Sequence, residues 1–114
     1  MSNQKRWYAE LAGSILVWIK EVPADPPFAW EVRLIRRPEK IGGETLEYYP
    51  DGFQDKSKES AIQNAELTIR QAPQFKDYGH RVNELRWKEC DLSEEAWQQQ
   101  VARFISEGRM EERS

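Results

Sequence analysis

The stretch KDYGHR, residues 76–81, holds the densest collection of catalytic side-chain types in this 114-residue chain. Asp77 and His80 flank Gly79, whose conformational freedom would let the loop fold so that the carboxylate orients the imidazole as a general base. Nothing in the neighbouring sequence marks a nucleophile or an oxyanion donor to go with them, and loops between helices and strands carry such residues for solubility alone. Asp77 and His80 are therefore the only catalytic candidates. The chain has neither a glycine-rich phosphate loop nor a G-x-S-x-G elbow.

Other chemistries are bounded by counting. His80 is the only histidine and Cys90 the only cysteine, so zinc sites built from several such ligands are excluded within one chain, as is an intramolecular disulfide. No metal and no cofactor are expected. Cys90 precedes a helix start, which favours a thiolate, but Glu89 and Asp91 flank and oppose it. A structural or incidental cysteine is the reading.

The second place to look for function is a surface. In FAWEVRLIRRPEK (28–40), Phe28, Trp30, Val32 and Leu34 fall on one side of a strand, with Arg33, Ile35 and Arg37 on the other. A sheet face carrying arginines and aromatics can stack bases and hold phosphates. By strand parity that face holds Arg6, Lys20, Arg33 and Arg37, four positive charges, against Glu10, Glu31 and Glu47, three negative ones. A net of +1 suits cross-strand ion pairing better than a polyanion. The whole chain carries −3, and residues 1–50 hold seven basic and seven acidic side chains. Nucleic acid is accordingly not the expected partner.

The elements that must position these residues follow from periodicity. RWYAEL (6–11) alternates as a half-buried strand, Ala12-Gly13 makes a turn, and SILVWIK (14–20) is a β-branched-rich strand. Three prolines in 23–27 interrupt pairing, FAWEVRLIRR is the longest strand, and TLEYY (45–49) is a short one running into Pro50-Asp51-Gly52. The period then changes. Ser57 caps a helix whose stripe is Ala61, Ala65, Ile69 and Ala72, stopped by Pro73. In HRVNELRWKEC (80–90), Leu85 and Trp87 alternate with charges, which predicts a bulged strand. Ser93 caps a last helix with the stripe Trp97, Val101, Phe104 and Ile105, ended by Gly108.

The expected fold is α+β: an antiparallel sheet of four to five strands with two helices packed on one face, in the order β-β-β-β-α-β-α. Residues 1–108 form one domain and 109–114 a frayed tail. Lys5-Arg6 before LAGSILVWI, with Val22-Pro23-Ala24 behind, outlines a short secretory signal, but Glu10 and Lys20 bracket the run and it alternates as strands do. It falls far short of the roughly 20 residues that span a bilayer. The expected location is the cytoplasm, without membrane association.

One feature of that fold needs a partner. Ile15, Val17 and Ile19 point one way from SILVWIK, while Leu16 and Trp18 point the other, so the strand is apolar on both faces. With both helices on one side, the outer face would be left with Tyr8, Leu16, Trp18, Ile35 and Tyr49, ringed by charges such as Arg33 and Arg37. A patch of that kind calls for cover. The reading is a small non-catalytic binding protein, a homodimer through this face or a partner of another protein. The alternatives are a small-molecule binder or enzyme with a pocket between sheet and helices, and a single-strand nucleic-acid binder.

Overall fold

A computed structural model of the chain describes residues 6–22, 29–38, 43–48 and 57–108. Strands β1 (Arg6–Leu11) and β2 (Ile15–Val22) pair as a hairpin with Leu11 opposite Ile15. Ala12 and Gly13 both take positive φ, 56° and 65°, and the Ser14 N–H donates to the Leu11 carbonyl at 3.0 Å. Glycine enters that region freely, whereas an alanine Cβ there crowds its own backbone. Ala12→Gly is therefore expected to stabilise the domain by about 0.5–1 kcal/mol, read as a melting point a few degrees higher. A lower melting point would count against the turn geometry.

Strand β3 (Ala29–Arg36) pairs with β2 along its whole length, from Val22↔Ala29 to Ile15↔Arg36. Short strands complete the sheet: β4 (Leu46–Tyr48) beside β3, and β5 (Lys88–Cys90) beside β1. The five-stranded sheet has the order β4-β3-β2-β1-β5 and is antiparallel throughout. With helices α1 (Lys58–Gln71) and α2 (Glu94–Glu107), the α+β class and the order β-β-β-β-α-β-α are those predicted. Phe28 and Tyr49 lie outside the described residues, as do residues 109–114 of the expected tail.

Helix α1 starts where Ser57 Oγ accepts the Ser60 N–H at 3.1 Å. Its small stripe, Ala61 and Ala65 with Ile69, is fully buried against Ala9, Leu11, Val17 and Leu34. Alanines at those positions bring the helix backbone close over β2 and β3.

Between α1 and β5 the structure departs from expectation. Residues 76–84 form a 3-10 helix, and only Lys88–Cys90 pair as a strand. A 3-10 helix repeats every three residues, so it sorts its side chains into rows. Val82 and Leu85 form the inner row with Gly79, which packs on the Arg70 backbone so closely that a Cβ would stand 3.1 Å from the Arg70 Cα. Asp77, His80 and Asn83 form the outer row and are exposed. The alternation of Leu85 and Trp87 reflects the end of one element and the approach to the next.

The second departure concerns the layers. The buried residues divide into two clusters, one on each face of the sheet. Helix α1 and the 3-10 helix cover the face of Ala9, Val17 and Leu34, whereas α2 covers the face of Leu16, Trp18 and Ile35. The helices sit on opposite faces, not on one. A strand apolar on both sides is what a sheet sandwiched between helices requires.

Candidate binding face

The face under α2 is built from alternate residues of the central strands. Leu16 and Trp18 on β2 and Ile35 on β3 turn toward α2, and Trp97, Val101 and Phe104 on α2 turn back onto them. Leu16 and Phe104 are each 0% exposed and Trp97 is 1% exposed. The aromatic rings interlock: Trp18 meets Trp97 edge-on with centroids 5.4 Å apart, and Tyr8 lies 5.7 Å from the same ring at 54°. Where alanines let α1 come close, α2 stands on tryptophan and phenylalanine. Cys90 is buried in this cluster as a small apolar residue.

A cationic grip holds each end of α2. At the N-terminal end, Arg6 is buried with its guanidinium 4.5 Å from the centre of the Trp97 ring. Its Nη2 donates to Glu94 Oε2 at 2.5 Å, and Lys20 Nζ lies 3.5 Å from the same oxygen. Gln98 donates to the other oxygen at 3.0 Å. Partial burial works to raise the Glu94 carboxyl, but the Gln98 donor and the Arg6 and Lys20 charges outweigh it and hold the group below its ordinary value of 4.5. A depressed folded-state value means stability that is present above the unfolded pKa and lost as pH falls through the folded one. The melting-point gap between the wild type and Glu94→Gln should thus be full at pH 7 and close once pH drops below 4.5 toward the depressed value. A gap that persisted well below that range would show that the carboxylate charge is not what anchors the helix.

At the C-terminal end, α2 has no basic residue in its last turn. Arg37 fills that role from the end of β3. Its Nε donates to the Ile105 carbonyl at 3.1 Å, Nη2 to Ser106 at 3.2 Å and Nη1 to the Gly13 carbonyl of the hairpin turn at 3.2 Å. Gly108 closes the helix in the left-handed region, φ 78°, where an added Cβ would collide with the Arg37 guanidinium.

Of the residues expected on the outer face, Tyr8, Leu16, Trp18, Ile35 and Arg37 are brought together, all in contact with α2. Arg33 is on the same side of the sheet and pairs with Glu31 at 3.1 Å. The surface that called for a partner is closed by the chain's own last helix. The basic residues of a would-be nucleic-acid face are engaged: Arg6 and Lys20 on Glu94, Arg37 on carbonyls, Arg33 on Glu31. Arg6 and Trp97 carry more of this site than their sequence positions suggest. One signal for them existed. A helix with a full aromatic stripe and a strand with a second apolar face are each incomplete alone and complementary together.

The catalytic candidates are placed differently. Asp77 and His80 share the exposed row of the 3-10 helix, with no hydrogen bond or ion pair joining them. Gly79 serves the contact with α1 and does not fold Asp77 onto His80. The nearby charge pairing is Arg81 with Glu84, two bonds of 2.9 Å, which holds the Glu84 carboxyl below its ordinary range. Among the described residues no group of three or more His, Cys, Asp or Glu side chains is placed to hold a metal, and no helix is long and apolar enough to cross a membrane. Comparison with protein-family models, with curated proteins and with solved structures finds no match to this chain.

Proposed function

We propose that this chain is a non-catalytic binding protein whose working surface is the face of β2 and β3 that accepts a helix. The observation that carries the reading is the shape of that face: an apolar floor of Leu16, Trp18 and Ile35, with a cationic grip at each end of the helix that lies on it. This is the chemistry of helix-in-groove recognition, in which an amphipathic helix lays its stripe into an apolar groove. Arginines at the ends add register, because Arg6 and Lys20 select a carboxylate in the first turn and Arg37 selects the carbonyls of the last. In the structure α2 itself is the occupant.

The test separates the face from its resident. A tethered helix competes at an effective concentration on the order of millimolar, so the resident must be weakened first. The full chain carrying Val101→Asp is refolded with a labelled peptide of residues 91–108. Saturable binding is expected, read by fluorescence anisotropy, with no binding of a scrambled peptide. Equal uptake of both peptides, or of neither, sinks the reading.

A further inference from the structure

We infer that the occupant this face takes in trans is α2 of a second copy, the two chains exchanging their last helices. The inference rests on the helix-accepting reading above and names its partner. Four features support it. The cluster under α1 contains no residue of α2, so lifting α2 leaves that core complete. The helix carries its own ends: Ser93 Oγ accepts the Ala96 N–H at 3.2 Å, and Gly108 closes the last turn. It can therefore move as one helix, its last carbonyls met by the Arg37 of whichever copy receives it. Each tie described above comes from the sheet side (Arg6, Lys20, Arg37), and a second copy offers the same ties in the same places.

The fourth feature is the hinge. Residues 91–93 join α2 to β5, and β5 is the last strand of the sheet. Three residues reach about 10 Å at most. The hinge leaves from the sheet edge, so its path decides whether α2 turns back over its own β1 and β2 or crosses to a neighbour beside that edge. Exchange of an identical element is a low-cost route to a dimer, since both states make the same contacts. The partner is a second copy because α2 is the helix seen to fit the face, in stripe and in charge. Opening the face exposes its apolar floor, so monomer and dimer interconvert slowly and their proportions are set during folding.

Complementation tests the exchange. Leu16→Asp spoils the sheet face and keeps α2; Val101→Asp spoils α2 and keeps the face. Co-refolded with a tag on one chain only, the two should give a mixed dimer with one closed face, seen by co-purification and light scattering. Neither should give a dimer alone. Wild-type chain refolded at about 100 μM should hold several-fold more dimer than chain refolded at about 1 μM, by mass action. A flexible five-residue insertion between Leu92 and Ser93 replaces no residue of the packed cluster and should lower that dimer share several-fold, because a longer hinge lets α2 turn back onto its own chain. A wild type that stays monomeric at both concentrations overturns the exchange, and so does a dimer indifferent to the insertion. Peptide binding by the Val101→Asp chain without these effects would leave the helix-accepting face standing and remove only the second copy. Loss of peptide binding would remove both.

Discussion

Trp97→Ala should cost the domain about 3–5 kcal/mol, the range for truncating a buried aromatic. The ring is 1% exposed and touches three kinds of partner at once: the Trp18 edge, the tilted Tyr8 ring and the Arg6 guanidinium. Its loss leaves Arg6 buried without the π-face above it, a cost added to the missing area. With a urea dependence of roughly 1–3 kcal/mol per molar, the unfolding midpoint should fall by about 2 M. The stripe on α2 would then rest on Val101 and Phe104, and a dye that binds apolar surface should begin to fluoresce before the main transition. Trp97→Phe is the control. The indole N–H has no hydrogen-bond partner among the described residues, so phenylalanine gives up area but no bond. It should retain most of the stability. An alanine variant that lost less than about 1 kcal/mol would show that packing on Trp97 does not hold α2 down.

That same ring marks where sequence reasoning reaches and where it stops. Ser57, Ser93 and Gly108 were legible because a cap is local: each serine side chain accepts from an N–H three residues on, and the Gly108 N–H donates to the Phe104 carbonyl four residues back. The turn at Ala12-Gly13 and the parity of β1, β2 and β3 were legible for the same reason. The landing face of α2 was not. An i, i+4, i+7 stripe says that a helix has an apolar side, but both faces of this sheet are apolar at β2, and nothing local distinguishes them. With both helices on one side the second apolar face would lie bare, whereas α2 completes a core there. Arg6 and Arg37 were obscured in a related way. An arginine at an alternating strand position reads the same whether water or a helix end lies above it. In residues 80–90 the difficulty was the period itself, since Leu85 and Trp87 imitate a strand while the true repeat runs through Gly79, Val82 and Leu85 at intervals of three.

Arg37→Met should destabilise the domain by about 2 kcal/mol, and the reason is how many separate elements this one side chain joins. The guanidinium donates to two carbonyls of the last turn of α2 and to one in the β1–β2 turn, while its own backbone N–H donates to Ser14 at 2.8 Å. Helix C-terminal carbonyls lack partners within the helix and carry partial negative charge, so a fork of donors from outside satisfies both needs. Methionine keeps the hydrocarbon stem and removes the donors. Lysine restores the charge as a single point and cannot reach three carbonyls in a fixed fork, so Arg37→Lys should recover less than half of the loss. Salt gives an independent check. Hydrogen bonds to carbonyls are screened far less than the exposed Glu94 carboxylate, so the Met deficit should survive added salt while that of Glu94→Gln shrinks. Hydrogen exchange completes the test, because amides of the last turn of α2 should exchange faster in Arg37→Met with those of α1 unchanged. Uniform acceleration across both helices would mean that Arg37 supports the domain as a whole and does not clamp one end of α2.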